Sequence, residues 1–377
     1  MTNPLKRLQL THTLFFEHPH PTIVDINLTE KCNQKCIYCE IGQGIVKKEK
    51  SDKPYLNLDD LTWIIDEMDR EKIPTLILQG GEPFLFKDLF SVIEYADNAG
   101  IQVVITTNGM LIPRLTDKEL SLLKKAHCTF SVSIDSCDPA TEKIVRGVDN
   151  AYDAAIEGIT TLIKNEIPVS ICTVVTMYNF QNLADLVKIA DDLGVASIHF
   201  QPLITISNYP EVSCISEKKT LNLRPEDIEG LVREFKKILE FERTHTISTN
   251  ITNLQKWISD YIQFCSGRNS EKTFFFEYHL YRFFCYELFN RIRINYYGEI
   301  LPCHFIPGNV SIKNSPARTL VELWNQVCQP VRTSIRNQAY PAQCNGCVCS
   351  HDTNLVLSSI KHPVVNRSML LRIFQKE

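Results

Sequence analysis

The sequence predicts an α/β protein, an open six-unit (β/α) barrel followed by a small C-terminal α+β domain. Three observations carry that expectation. Six short β-branched runs recur between residues 22 and 201, amphipathic helical patterns separate them, and turn chemistry falls where each helix should stop. Strands that alternate with helices build a parallel sheet with the helices outside.

The expected strands are Thr22–Leu28, Thr75–Gln79, Gln102–Thr107, Thr129–Ile134, Val169–Thr176 and Ala196–Gln201. Between them Leu58, Leu61, Ile65 and Met68 share a helical face, as do Leu89, Val92, Ile93 and Ala96, and later Leu183, Leu186, Val187 and Ala190. Gly100 and Gly194 stand just past helix ends, where a left-handed residue belongs. A long amphipathic helix is expected over Pro225–His245, with Pro225 in its first turn. Residues 203–224 and 246–273 read as connections or lids. Aromatics crowd Thr273–Tyr297, interrupted by Glu277, Arg282 and Glu287, which reads as an inter-domain core. Ile292 and Ile294 alternate with Arg293 and Asn295, and Tyr297-Gly298 supplies a turn, so a β-hairpin is expected there. A helix over Thr319–Ile335 follows, with Leu320, Leu323, Trp324 and Val327 on one face.

Composition sets limits. The chain has 377 residues, 44% hydrophobic and 22% charged, the content of an ordinary globular protein. Net charge is −4 and no run of five like charges occurs, so no nucleic-acid footprint is expected. No apolar stretch suits a secretory signal or a membrane span. Fourteen cysteines in a reducing compartment point to metal rather than disulfides, and the expected location is the cytoplasm.

In such barrels reactive groups sit on the loops after the strands. Cys32, Cys36 and Cys39 follow the first strand with the spacing C-x3-C-x2-C; Gly80-Gly81-Glu82-Pro83 follows the second, Asn108-Gly109 the third, and Asp135 the fourth. Three thiolates on one loop can hold three corners of a [4Fe–4S] cube and leave one iron open, since such clusters ordinarily take four cysteines. Zinc held with His12, His18 or His20 is the alternative reading of the same residues. The second set is Cys285, then Cys303 after seventeen residues with Gly298 five positions before it, then Cys344, Cys347 and Cys349. Structural zinc competes with iron–sulfur there as well. Cys128, Cys137, Cys172, Cys214, Cys265 and Cys328 have no such spacing and read as packing residues.

The C-x3-C-x2-C loop with Tyr38, the Gly-Gly-Glu-Pro string, Thr107-Asn108-Gly109 and the Ser133-Ile134-Asp135 run together resemble the radical S-adenosylmethionine (SAM) enzymes. The stretch from Cys285 through Asn295-Tyr296-Tyr297-Gly298 to Cys303 and Cys344-x2-Cys347 is similar to the SPASM or twitch extension of that family. The resemblance implies that Cys32, Cys36 and Cys39 hold a SAM-binding [4Fe–4S] cluster. It implies that Tyr38, Gly80, Gly81, Glu82, Pro83, Asn108, Ser133, Asp135 and Arg146 contact SAM, with Arg146 on the methionine carboxylate. It implies one auxiliary [4Fe–4S] cluster on Cys285, Cys303, Cys344 and Cys347, with Cys349 a substitute or spare. The reaction implied is reductive cleavage of SAM to a 5′-deoxyadenosyl radical and hydrogen abstraction from a small polar metabolite or a peptide, with net oxidation. A flavodoxin- or ferredoxin-type reductant is the implied partner. Only about 21 residues precede the first strand, too few for a peptide-recognition module, which favours the metabolite. The alternatives are a ribosomal-peptide maturase (cross-link or epimerisation) and, in another class, a non-catalytic zinc or iron–sulfur scaffold or electron-transfer protein. The expected divisions are 1–21, a barrel over 22–225, a helical connection over 226–280, the auxiliary domain over 281–350 and a tail over 351–377.

Overall fold

The computed structural model describes residues 19–44, 53–203, 221–255, 258–259, 262–263, 285, 287–314, 318–337, 339, 341 and 344. Six parallel strands appear where the residue pattern puts them: β1 (Ile23–Asn27), β2 (Thr75–Gln79), β3 (Gln102–Thr107), β4 (Thr129–Ser133), β5 (Val169–Val175) and β6 (Ser197–Pro202). Between them run α1 (Leu58–Arg70), α2 (Leu89–Asn98), α3 (Asp117–Lys125), α4 (Pro139–Arg146), α5 (Ala151–Lys164) and α6 (Leu183–Leu193). Local chemistry fixes their ends. Asn57 and Asp60 form a reciprocal cap on α1, Thr116 and Glu119 do so on α3, and Asp138 caps α4 ahead of Pro139. Both α4 and α6 stop at a left-handed glycine, Gly147 and Gly194.

The helix expected over Pro225–His245 is a 3-10 turn at Pro225–Asp227 leading into α7 (Ile228–Phe241). A two-residue strand β7 (Ser248–Thr249) then pairs with β6, and the short α8 (Ile251–Leu254) follows. After α9 (Glu287–Asn290), the expected hairpin is present as β8 (Arg291–Ile294) and β9 (Glu299–Leu301), antiparallel around Gly298 at φ +78°. The strand β10 (Val310–Ser311) and the helix α10 (Leu320–Arg336) complete the described chain.

One connection is absent from the sequence expectation. β8 lies parallel to β1, so the hairpin extends the barrel sheet in the order β10-β9-β8-β1-β2-β3-β4-β5-β6-β7. Backbone hydrogen bonds from Thr22 to Asn290 and from Leu56 to Tyr296, both 2.8 Å, and one from the Leu320 amide to buried Glu67, also 2.8 Å, tie the C-terminal elements to β1 and α1. Alternation could not reveal this pairing, because a strand pattern names a face and not a neighbour.

Val24, Ile26, Leu76, Leu78, Val103, Ile105, Phe130, Val132, Ile171, Ile198, Phe200 and Ile292 form the helix-side core, with Leu61, Ile64, Val92 and Leu186 from the helices. The opposite face of the sheet carries Asp25, Asn27, Gln79, Thr106, Ser133 and His199. Asp25 stands opposite Arg293 in the β1–β8 register and pairs with it, while Gln79 donates to Asp25 at 2.6 Å. Arg293 also reaches Glu287 at 2.6 Å, and Arg291 lies 3.4 Å from both Asp25 and Glu287, so two carboxylates and two guanidinium groups balance at this largely buried junction. Among the described residues no helix is long and apolar enough to cross a membrane.

Candidate functional site

The cysteine loop leaves β1 at Leu28 and is held on three sides. On the first, the Gly81 amide donates to the Thr29 carbonyl at 2.6 Å and the Glu82 amide to Lys31 at 2.8 Å. The approach is so close that a Cβ on Gly81 would lie 2.1 Å from the Lys31 oxygen. On the second, Asn108 Nδ2 donates to Asn33 at 2.7 Å, and Gln34 Nε2 points at Met110 Sδ at 3.3 Å. On the third, the Lys35 and Ile37 amides donate to the Arg146 and Val145 carbonyls, both at 3.0 Å. Those carbonyls belong to the last turn of α4 and would otherwise lack partners.

Each thiol faces an N–H group. The Gln34 amide lies 3.4 Å and Asn108 Nδ2 4.0 Å from Cys32 Sγ, Arg146 Nη1 3.9 Å from Cys36 Sγ, and the Gly42 amide 3.5 Å from Cys39 Sγ. Burial pushes the Cys36 thiol up to about 12 even though Arg146 opposes it, and burial also raises Cys32. Without metal these groups are protonated, so binding one must release protons. N–H donors aimed at sulfur suit thiolates that hold a metal centre, an iron–sulfur cluster among them.

The other anticipated residues divide into two groups. Glu82 is fully buried, and its carboxylate accepts from Thr107 Oγ1 at 2.7 Å, the Asn108 amide at 2.9 Å and the Phe84 amide at 3.2 Å. Burial raises its carboxyl while those donors pull it back. Pro83 is buried beside it. Asp135 accepts from Tyr38 Oη at 2.6 Å and the Val174 amide at 2.8 Å. Arg146 Nε lies 3.0 Å from Asp135 and 3.3 Å from Glu142, distances of an ion pair without hydrogen-bond alignment. Burial disfavours the charged guanidinium, but Asp135, Tyr38 and Glu142 hold it firmly charged. Glu142 itself is pushed by burial up to about 7. These side chains have partners within the protein. Ser133 is different: it is half-buried on β4, and no partner for its hydroxyl occurs among the described residues.

Residues that the sequence reading passed over complete the frame. Gly147 sits at φ +71°, and a Cβ there would meet the Lys35 oxygen at 2.4 Å. Glu142 caps the Asp135 and Ser136 amides at 3.0 and 2.7 Å. The i,i+4 spacing of Glu142 and Arg146 was the available signal.

The C-terminal thiols Cys285, Cys303 and Cys344 come near one another. Burial lifts Cys285 well above its ordinary value, then Glu287, Cys303 and Cys344 add to it; Cys344 rises to about 12 by burial, with Cys303 contributing. The Phe305 amide lies 3.4 Å from Cys303 Sγ, repeating the turn at Cys32. Cys328, on α10, is buried and close enough to feel Cys303. Cys347, Cys349, Cys214, Cys265, His12, His18, the aromatics Phe274 to Phe284 with Tyr286, and residues 204–220 of the expected lid lie outside the described residues.

Residues 26–193 match the model of the radical SAM superfamily, and residues 285–348 match that of the SPASM iron–sulfur cluster-binding domain. An AdoMet-dependent heme synthase of Methanosarcina barkeri is 32% identical over 180 residues, 48% of this chain and 50% of that protein. A probable GTP 3′,8-cyclase of Saccharolobus islandicus is 31% identical over 177 residues, 46% of this chain and 54% of that one. The chain thus spans about half the length of the curated relatives it matches. Among solved structures, Streptococcus suis SuiB bound to its precursor peptide SuiA superposes with a TM-score of 0.60 at 17% identity, over 86% of this chain and 70% of that one. That likeness extends over the barrel and the C-terminal region and concerns the fold.

Proposed function

Because the chain belongs to the radical SAM superfamily and carries a C-terminal SPASM iron–sulfur domain, we propose that it takes hydrogen from a small polar substrate and oxidises it. The observation that carries the reading is the first loop: three thiols, each met by an N–H donor, on a segment pinned from three sides. Membership of an enzyme family sets aside the scaffold reading.

In this reading Cys32, Cys36 and Cys39 hold the SAM-binding [4Fe–4S] cluster. When bound, the reduced cluster supplies the electron that splits SAM into methionine and a 5′-deoxyadenosyl radical able to abstract hydrogen. The Gly80-Gly81 backbone, the Tyr38 ring, Asn108 and Ser133 form the bed for SAM. Glu82, Pro83, Asp135 and Arg146 hold that bed in shape from beneath, which agrees with their internal partners. Cys285, Cys303, Cys344 and Cys347 hold one auxiliary [4Fe–4S] cluster, with Cys349 as the substitute for Cys347, to accept an electron from the substrate radical. Residues 22–225 form the barrel, 226–280 a cover, and 281–350 the auxiliary unit, flanked by segments 1–21 and 351–377. The reductant is a flavodoxin or ferredoxin and the setting cytoplasmic.

A polar metabolite is favoured by the sheet face bearing Asp25, Asn27, Gln79, Thr106, Ser133 and His199. The sequence relatives, named for heme synthesis and GTP cyclisation, also point to small molecules. A peptide is the second reading. A shallow, largely apolar surface at the ends of β5 and β6, formed by Val175, Pro202, Leu203, Asn222, Leu223, Ile258 and Ile262, is where an apolar group of a peptide could rest.

Anaerobic reconstitution should give about eight iron and eight sulfide per chain for two cubanes. Dithionite and SAM should then yield 5′-deoxyadenosine, and Cys32→Ala should abolish it. Stoichiometric zinc, or undiminished release from C32A, would refute the assignment. Deuterium carried into 5′-deoxyadenosine from labelled tetrapyrroles, nucleotides or peptides would identify the substrate class.

A further inference from the structure

Among the described residues, the first-loop thiols receive backbone and amide donors at Cys32 and Cys39, but Cys36 receives a full charge. Arg146 Nη1 lies 3.9 Å from Cys36 Sγ. Both residues are buried, at 5% and 7% exposure, so little water screens the guanidinium from the sulfur. The side chain is held rigidly. Asp135 and Glu142 face Nε at 3.0 and 3.3 Å, the Tyr38 ring lies 5.9 Å from the guanidinium carbon, and Tyr38 gives its hydroxyl to Asp135. The Arg146 carbonyl grips the same loop by accepting the Lys35 amide at 3.0 Å.

One simpler role fits this arrangement poorly. An arginine that served only as counter-ion to two carboxylates would have no need to reach a thiol. The geometry points to Arg146 as the residue that sets the reduction potential of the first cluster, with Asp135 and Glu142 as its counterweight. Reduction adds one negative charge beside Cys36. A fixed cation there favours the reduced state, and the carboxylates behind it limit that gain. Cluster potentials respond to net charge and to hydrogen bonds on sulfur. Arg146 is then a positioning and tuning residue for the cluster already before SAM binds. The inference rests on the radical SAM reading of the loop.

The test is a redox titration of the reconstituted full chain without SAM, poised with dithionite and viologen mediators and read by EPR. Arg146→Gln should lower the reduced-to-oxidised ratio at a fixed potential about tenfold, equivalent to about 59 mV for one electron. Arg146→Lys, which keeps the charge but not the fork, should lower it less. Asp135→Asn should shift the potential in the opposite direction, because it frees the guanidinium from its partner. Lys143→Gln removes an exposed cation from the same helix and should change nothing. Opposed shifts for R146Q and D135N support the inference. Equal potentials, or shifts of the same sign, overturn it, as does an R146Q protein with the wild-type potential and weakened SAM binding by calorimetry. Should R146Q fail to take up iron, R146K and D135N carry the comparison. A wild-type chain that binds no iron refutes the radical SAM reading itself, and iron analysis tells that failure from an unmoved potential.

Discussion

Gly147 and Gly194 form a matched pair that isolates how the cysteine loop is held. Both end a helix, α4 and α6, in the left-handed region at φ +71° and +84°. Alanine at either position incurs backbone strain of about 1 kcal/mol. They differ in what a Cβ would meet. At Gly194 the nearest atom is 4.0 Å away, on Ile163; at Gly147 the Lys35 oxygen is 2.4 Å and its carbonyl carbon 2.9 Å away. Ordinary contact needs about 1 Å more. The loop must therefore lift from α4, stretching the Lys35 and Ile37 hydrogen bonds, now 3.0 Å each. Those bonds are each worth about 1 kcal/mol, and overpacking adds about 1–3 kcal/mol. Gly147→Ala should thus cost about 3–5 kcal/mol more than Gly194→Ala in urea unfolding of the metal-free chain. It should also lose first-cluster iron after anaerobic reconstitution, whereas G194A should retain it. Equal stability losses with full iron in both variants would show that contact with α4 does not shape the loop.

Three further outcomes are expected. Burial holds the Glu142 carboxyl at about 7 against an ordinary 4.5, so the folded state binds the extra proton between those values. Stability should fall as pH rises through that window, by at most about 3 kcal/mol, and Glu142→Gln should remove the slope; a slope unchanged in E142Q contradicts the assignment. Asp25→Ala leaves Arg293 buried beside β1 without its cross-strand partner and should cost about 3–5 kcal/mol in chemical denaturation, with a loss below about 1 kcal/mol counting against the buried network. Cys344→Ser should halve the iron content from about eight to about four per chain, while Cys328→Ser should leave it intact. Iron lost from C328S would make that residue a ligand rather than a packing residue.

The barrel was legible because period and punctuation agreed. Val24, Ile26 and Leu28 alternate with Ile23, Asp25 and Asn27, and the second and third runs end at Gly80 and Asn108, residues that turn the chain. The loops proposed to carry the chemistry were legible for the same reason, since loops after parallel strands must share one end of the sheet. The hairpin around Gly298 was readable too. Its pairing partner was not: nothing in Arg291–Ile294 specifies β1 except the match of Arg293 to Asp25, a pair 268 residues apart. The internal partners of the site side chains were also hidden. Spacing marked Glu82, Asp135 and Arg146 as site residues but could not supply the groups that hold them, Thr107, Tyr38 and Glu142. Gly147 escaped notice because a helix-ending glycine is common, and the Lys35 carbonyl that excludes a side chain comes from a distant loop.

The proposed chemistry requires an iron atom in the first loop that protein side chains leave open. The most direct measurement is EPR of the reduced, reconstituted chain with and without SAM labelled with ¹⁵N at its amino group. A changed signal with hyperfine coupling to that nitrogen is the predicted result. A spectrum indifferent to SAM, or one requiring four protein ligands on the first cluster, would contradict it.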